Sequence, residues 1–143
     1  MSVKTGKKNF LKTVKKMTVL PKAVFPKYIN INDKRVFLTA NRIDHIIESH
    51  PELKDKIDLM IKSIKSGSIR VAIKDKSNKN AINLYTNNDD EHLFVITIAF
   101  GDGIRSYNSI ITARLQNIGR VKKEIYRLKQ KGKFEDIIFY CLQ

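Results

Sequence analysis

The sequence predicts an α+β fold: N-terminal helices followed by a four-stranded antiparallel meander sheet, then a C-terminal basic helix. Three observations predict it. Apolar residues recur at helical spacing in the first half, as Ile43, Ile46 and Ile47, then Leu53, Ile57, Met60, Ile61 and Ile64. Four stretches between residues 68 and 115 read as strands separated by short polar turns. Helical spacing then returns at Ile118, Val121, Ile125 and Leu128. Helices that precede a run of antiparallel strands place the chain in the α+β class.

Each element has a local reason. Residues 1–27 carry eight lysines and no acid. Phe10, Leu11, Val14 and Met17 could line one side of a short amphipathic helix there, ringed by lysines. Three readings compete for this basic arm: a tail that holds a polyanion, a helix docked on the domain, or an interfacial helix on anionic lipid. The small apolar face favours the polyanion. Residues 28–38 read as two short strands, YINI and RVFL, around Asn32, Asp33 and Lys34.

A helix follows from Thr39, whose hydroxyl can cap it, to about His50, because Pro51 disfavours helical geometry in the residue before it. A second helix spans residues 52–65 and stops at Gly67. In residues 68–74, Ile69, Val71 and Ile73 face one way, and Arg70, Ala72 and Lys74 the other. Residues 81–86 form the next strand. Residues 93–100 are apolar on both faces and so belong centrally in the sheet. Gly101, Asp102 and Gly103 turn the chain into a strand over residues 105–115. A basic helix over residues 117–131 ends at Gly132, and residues 135–142 supply a last strand or a docked tail. There are no repeats and no linker, so residues 28–143 read as one domain behind the arm.

Composition narrows the function. The 143 residues suffice for one core, and 42% hydrophobic content fits a globular protein. A net charge of +14 makes the chain self-repelling and points to polyanionic partners. The single Cys141 excludes an intramolecular disulfide and a cysteine-rich metal site, and no metal or other cofactor is expected. No stretch reads as a membrane span, and the run MTVL is cut off by Pro21 too early for an export signal, so a cytoplasmic location is expected.

Two histidines sit on the helix over residues 39–50. His45 projects away from the apolar stripe, whereas His50 follows Ile46 by four residues and Ile47 by three, and so projects from the stripe itself. Such a histidine is often a packing residue; here a second polar group far along the chain raises its interest. Thr112 and Arg114 alternate onto one strand face, roughly 7 Å apart, with Ser106, Asn108 and Ile110 beside them, while Tyr107, Ser109, Ile111 and Ala113 take the other. A hydroxyl and a guanidinium so placed can bind two oxygens of one phosphate.

RNA carries its own nucleophile, the 2′-hydroxyl. Its cleavage needs a base, an acid and groups on the phosphate, and a histidine can take either proton-transfer role. The chain holds no Walker loop, H-E-x-x-H, G-x-S-x-G or cysteine–histidine motif. Arg70 and Lys74 are candidates for flanking phosphates, Tyr85 and Tyr107 for stacking on a base, and Ser109 is a further RNA-binding candidate. His92 opens a strand beside Asp90 and Glu91, an acidic setting with no catalytic role expected.

The segment LTANRIDHIIESHPEL, then a helix, several strands and SIITARL before a basic helix, resembles the barnase/EndoU/colicin/RelE-like superfamily. Its phage-associated branches and some contact-dependent toxin domains carry a similar His-Pro-Glu-like helix end and a late Thr-Ala-Arg-like strand. The resemblance spans residues 37–131. It implies helices before a four-stranded antiparallel sheet, with the site across the sheet face, and metal-independent ribonuclease activity, frequently on tRNA. By position, His50 matches the signature histidine, with His45 as the alternative, and Thr112 and Arg114 match the hydroxyl and phosphate-binding groups. A chain that starts with its own methionine and shows no export signal suits a mobile-element or phage origin, and an acidic immunity or antitoxin protein would complement its charge. The rivals are a non-enzymatic nucleic-acid-binding protein and an adaptor that sets its basic surface on an acidic partner.

Overall fold

The structure, a computed structural model, describes residues 13–20, 35–64, 68–101 and 107–142. The expected strand YINI, the amphipathic residues Phe10 and Leu11, the Gly67 helix stop and the Asp102–Gly103 turn lie outside them. Strand β5 (His92–Ala99) is the centre of the architecture. Leu93 and Val95 point to one side of it, and Phe94, Ile96 and Ile98 to the other, all buried. A strand apolar on both faces needs cover on both. It receives helices on each.

The sheet has seven strands in the order β1-β2-β6-β5-β4-β3-β7. The others are β1 (Val14–Val19), β2 (Arg35–Thr39), β3 (Ile69–Lys74), β4 (Ala81–Asn87), β6 (Asn108–Asn117) and β7 (Ile137–Tyr140). All neighbours are antiparallel except β2 and β6, which run parallel. The buried Asn108 ties this parallel seam: its Nδ2 donates to the Arg35 carbonyl at 2.9 Å, and its Oδ1 accepts from Gly101 N at 3.0 Å.

This corrects the expected fold. Among the described residues two strands precede the first helix, and the antiparallel strands β3 to β6 are part of a larger mixed sheet rather than a free-standing meander. The first miss is β1, where Val14 and Met17 were expected on a helix. Thr18 and Leu20 point inward while Met17 and Val19 point outward, a period of two that a short apolar run does not distinguish from a helix. The β-branched Val14, Thr18 and Val19 favour the strand. At the other end, β7 joins the outer edge of β3 as a further strand.

Helix α1 (Ala40–Ser49) begins where Thr39 Oγ1 accepts from Arg42 N at 3.4 Å and ends at His50, before Pro51. It lays Ile46, fully buried, with Ile43 and Ile47 against one sheet face. Truncating Ile46 to alanine would cost about 2–5 kcal/mol by the usual cavity penalty. The expected second helix is shorter than its apolar period: Pro51–Leu53 form a 3-10 turn, and α2 covers only Ile57–Ser63 on the same face.

Helix α3 (Ile118–Gln130) covers the opposite face with Val121, Ile125 and Leu128. Asn117 Oδ1 caps it by accepting from Gly119 N at 2.8 Å; a Cβ on Gly119 would come within 3.0 Å of that oxygen. At its end Gly132 takes φ +73°, and the N–H groups of Gly132 and Lys133 close on the carbonyls of Lys129 and Leu128 at 3.1 and 2.9 Å. This pair of bonds is the usual glycine-terminated helix stop.

Among the described residues one buried side-chain group is unsatisfied. Thr18 Oγ1 faces the α1–α2 side with no hydrogen-bond partner among the described residues. Thr18→Val keeps the shape and removes the orphan hydroxyl, so it should stabilise the fold by about 1 kcal/mol. A rise in the urea midpoint at unchanged slope is the expected reading.

Candidate nucleic-acid interface

Two irregularities decide which side chains share a face. In β6, Thr97 pairs with Thr112 but Ile98 with Ile110, so Ile111 is an extra residue. This bulge breaks strict alternation. Ile110 points into the α1–α2 core, yet Ser109 and Thr112 both fall on the α3 face, opposite Ala99 and Thr97 respectively. Arg114, opposite Val95, is there too. A second irregularity lies between Ile69 and Val71 in β3. There Ile69 and Ala72 enter the α1–α2 core while Val71 and Ile73 pack under α3.

The expected site residues therefore separate. Thr112 and Arg114 share a face, as their spacing requires, and Ser109 joins them. His50 does not. It ends a helix packed on the other side of the sheet, half-buried, with Nδ1 3.5 Å from Glu52 Oε1. His45 is exposed on that same helix. The common cleft expected for His50, Thr112 and Arg114 is absent because the sheet lies between them. His92, the remaining histidine, is tied to Asp89 Oδ1 at 3.2 Å in the β4–β5 turn. Asp89 also accepts the N–H groups of Glu91 and His92, which hold its carboxyl below the usual carboxylate range.

The flanking groups need correction as well. Lys74 pairs with Ile82 on the α1–α2 face, away from Arg70. The Arg70 guanidinium is committed to structure: Nε donates to the Cys141 carbonyl at 2.8 Å and Nη1 to Asn87 Oδ1 at 3.3 Å. Tyr85 is 1% exposed and cannot stack on a base. Tyr107 packs edge-on to Phe37 at 5.0 Å between ring centroids, with Arg35 over both rings.

What the α3 face does hold is a cleft of roughly 490 Å³ between α3 and the sheet. Five cations line it, Lys76, Arg120, Lys123, Arg127 and Lys131, with Gln116 from the end of β6 and a single carboxylate, Glu124. Glu124 Oε2 accepts from the Tyr85 hydroxyl at 3.2 Å. Burial, then the neighbouring Glu124 charge, pushes the Tyr85 hydroxyl above its ordinary range, partly offset by Arg114. Tyr85 thus stays a proton donor and fixes the carboxylate's position. On the same sheet face, Thr97 Oγ1 donates to Asn83 Oδ1 at 2.6 Å and Asn83 Nδ2 donates to Asp75 Oδ1 at 3.2 Å. Asp75 Oδ2 in turn accepts from Ser77 N and Asn78 N at 3.2 and 3.0 Å, shaping the turn that carries Lys76.

Sequence reasoning passed over Glu124, Asn83, Thr97 and the α3 cations as site residues. A signal existed for the first: Glu124 is the only acid in residues 117–131, on a helix otherwise charged positive. No sequence signal placed Asn83 beside Thr97, because that contact depends on strand register.

The raised Tyr85 hydroxyl has a consequence with a definite sign. Stability from keeping it protonated is fully present below an unfolded value of about 10 and is lost as pH rises beyond that. Between about pH 9 and about pH 11, parent protein should lose more stability than Tyr85→Phe, read as the difference between their urea midpoints.

Among the described residues, no group of three or more His, Cys, Asp or Glu side chains is placed to hold a metal ion, and no helix is long and apolar enough to cross a membrane. Comparison with protein-family models, with curated proteins and with solved structures returns no match.

Proposed function

We propose that this protein is a metal-independent endoribonuclease whose site is the cleft between α3 and β6. The observation that carries the reading is one oriented carboxylate, Glu124, held among five cations by Tyr85, whose hydroxyl also feels the Arg114 charge. A carboxylate weakens the binding of a polyanion. Its place in the middle of a basic cleft makes sense where a proton must be removed from the bound strand.

In this reading the cations of α3 hold the sugar–phosphate backbone, and Glu124 takes the proton of a ribose 2′-hydroxyl. The 2′-oxygen then attacks the adjoining phosphorus, and the P–O5′ bond breaks. Arg114 stabilises charge on the phosphate in the transition state, with Thr112 a hydrogen-bond donor on the same sheet face. The 5′-oxygen leaves with a proton from solvent, giving a 2′,3′-cyclic phosphate and a 5′-hydroxyl. A tRNA is the substrate class that the sequence resemblance suggests, and an acidic antitoxin or immunity protein is the partner that a charge of +14 suits.

A second reading is binding without cleavage. It is favoured by the absence of any histidine from this face, which leaves the leaving oxygen without an imidazole acid.

Incubation with total tRNA in EDTA separates the two. Parent protein should yield fragments ending in 2′,3′-cyclic phosphate. Glu124→Gln should slow cleavage by about 10²–10⁴-fold, the usual worth of a positioned base. Arg114→Gln should slow it by about 10²–10³-fold, while His50→Ala should stay within about twofold of parent because His50 lies across the sheet. Cleavage by Glu124→Gln at the parent rate would overturn the assignment. Salt-sensitive tRNA binding with no products from any variant would establish the second reading instead.

A further inference from the structure

Helix α3 is basic on two flanks, and the cleft uses only one. At about 100° per residue, Arg120, Arg127 and Lys131 lie on the cleft side of the apolar stripe Val121–Ile125–Leu128, with Glu124 between them. Lys122, Tyr126 and Lys129 lie on the other side, towards β3 and β7, and Lys123 sits on the crest between. The second flank bears two exposed aromatics, Tyr126 at 61% and Tyr140 at 40%. Lys129 Nζ stands 5.1 Å from the Tyr140 ring centroid, and Gln130 Nε2 donates to the Tyr126 hydroxyl at 2.7 Å. Tyr140 is held in place from behind, since the next residue, Cys141, exchanges hydrogen bonds with Arg70 through both its N–H and its carbonyl.

Exposed rings set among lysines are the parts of a single-strand platform: the rings stack on bases of any kind, and the ammonium groups follow the phosphates. We infer that the β7 flank of α3 is a second RNA-binding surface, with bases stacked on Tyr126 and Tyr140 and a phosphate on Lys129. A strand seated in the cleft crosses the crest at Lys123 and continues onto this flank. Asp89 and Asp90 border the hollow near Ile118 and Lys122 and repel phosphate there, so the strand runs towards Lys129 and Tyr140 instead. This inference rests on the cleft reading above and extends it from a cleavage pocket to a longer footprint.

Length dependence tests it. The probes are labelled 2′-O-methyl oligouridines of about 4 and about 16 nucleotides, spanning the footprints of single-strand binders; with the 2′-oxygen blocked they cannot be cut by a 2′-hydroxyl mechanism. Tyr126→Ala with Tyr140→Ala should weaken 16-mer binding by about tenfold or more, the effect of losing one or two stacked bases, and 4-mer binding by much less. Phenylalanine at both positions should restore the 16-mer affinity. Lys129→Ala should lower the salt slope for the 16-mer by about 0.7, the share of one phosphate. Removing the exposed Lys54 and Lys62, on the α1–α2 side, should not.

Equal affinity of the double-tyrosine variant and the parent for the 16-mer would overturn the inference. So would displacement of the 16-mer by polyglutamate of equal charge as readily as by RNA, which would mark the flank as a site for an acidic protein. A bound 4-mer with no gain on lengthening removes this surface alone. Failure of both lengths to bind removes the cleft reading together with it.

Discussion

A sheet buried on both faces is a partition. Strand β5 sends Leu93 and Val95 to one layer and Phe94, Ile96 and Ile98 to the other, so neither layer can be removed without exposing a core. Each buried aliphatic or aromatic side chain contributes about 1.5–3 kcal/mol, which makes the two-sided cover a condition of folding. It also divides the surface chemically. Whatever α1 carries belongs to one side and whatever β6 shares with α3 belongs to the other, and backbone hydrogen bonds leave no passage between them.

That partition separates what was legible in the sequence from what was not. The ends of α1 and α3 follow from Thr39, Pro51, Asn117 and Gly132, each acting within a few residues of itself, and both helices lie close to their expected bounds. The apolar core of β5 was legible for the same reason. Contacts between distant segments were not. The parallel seam between β2 and β6 depends on Asn108 reaching the Arg35 backbone 73 residues away, and β1 depends on a two-residue period that six residues cannot separate from a helical one. His50 shows the limit most clearly. Helical phase sets it on the apolar stripe, whereas the structure makes it the partly exposed C-cap of α1, and phase does not say which side of a sheet the helix will cover.

The β6 bulge made a subtler difference. Strict alternation puts Ser109 and Thr112 on opposite faces, and the extra Ile111 puts them together. One inserted residue therefore gathers Ser109, Thr112 and Arg114 onto the face that α3 only half covers. Bulges often re-aim side chains near functional surfaces, and they leave no mark in sequence periodicity beyond a failure of it. The same holds at Arg70, where an irregular register turns the guanidinium towards Asn87 and the C-terminal strand, converting an expected phosphate ligand into a clamp for the chain end.

The distribution of charge on α3 completes the picture. An amphipathic helix needs only a polar outer face to be soluble against a sheet, and mixed signs serve that purpose with least repulsion. Here Arg120, Lys122, Lys123, Arg127, Lys129 and Lys131 are opposed by Glu124 alone, and that one acid is engaged by Tyr85 rather than paired with a lysine or arginine by any short ion pair in the described structure. Like charges at helical i,i+3 and i,i+4 spacing, as in Arg120–Lys123, Lys123–Arg127 and Arg127–Lys131, each cost a few tenths of a kcal/mol without a counterion. A polyanion laid across the helix turns those repulsions into attraction and releases its own condensed counterions. The one carboxylate gains nothing from that exchange. The proposal of cleavage over simple holding rests on that carboxylate, set among the five cations of the cleft and engaged by Tyr85.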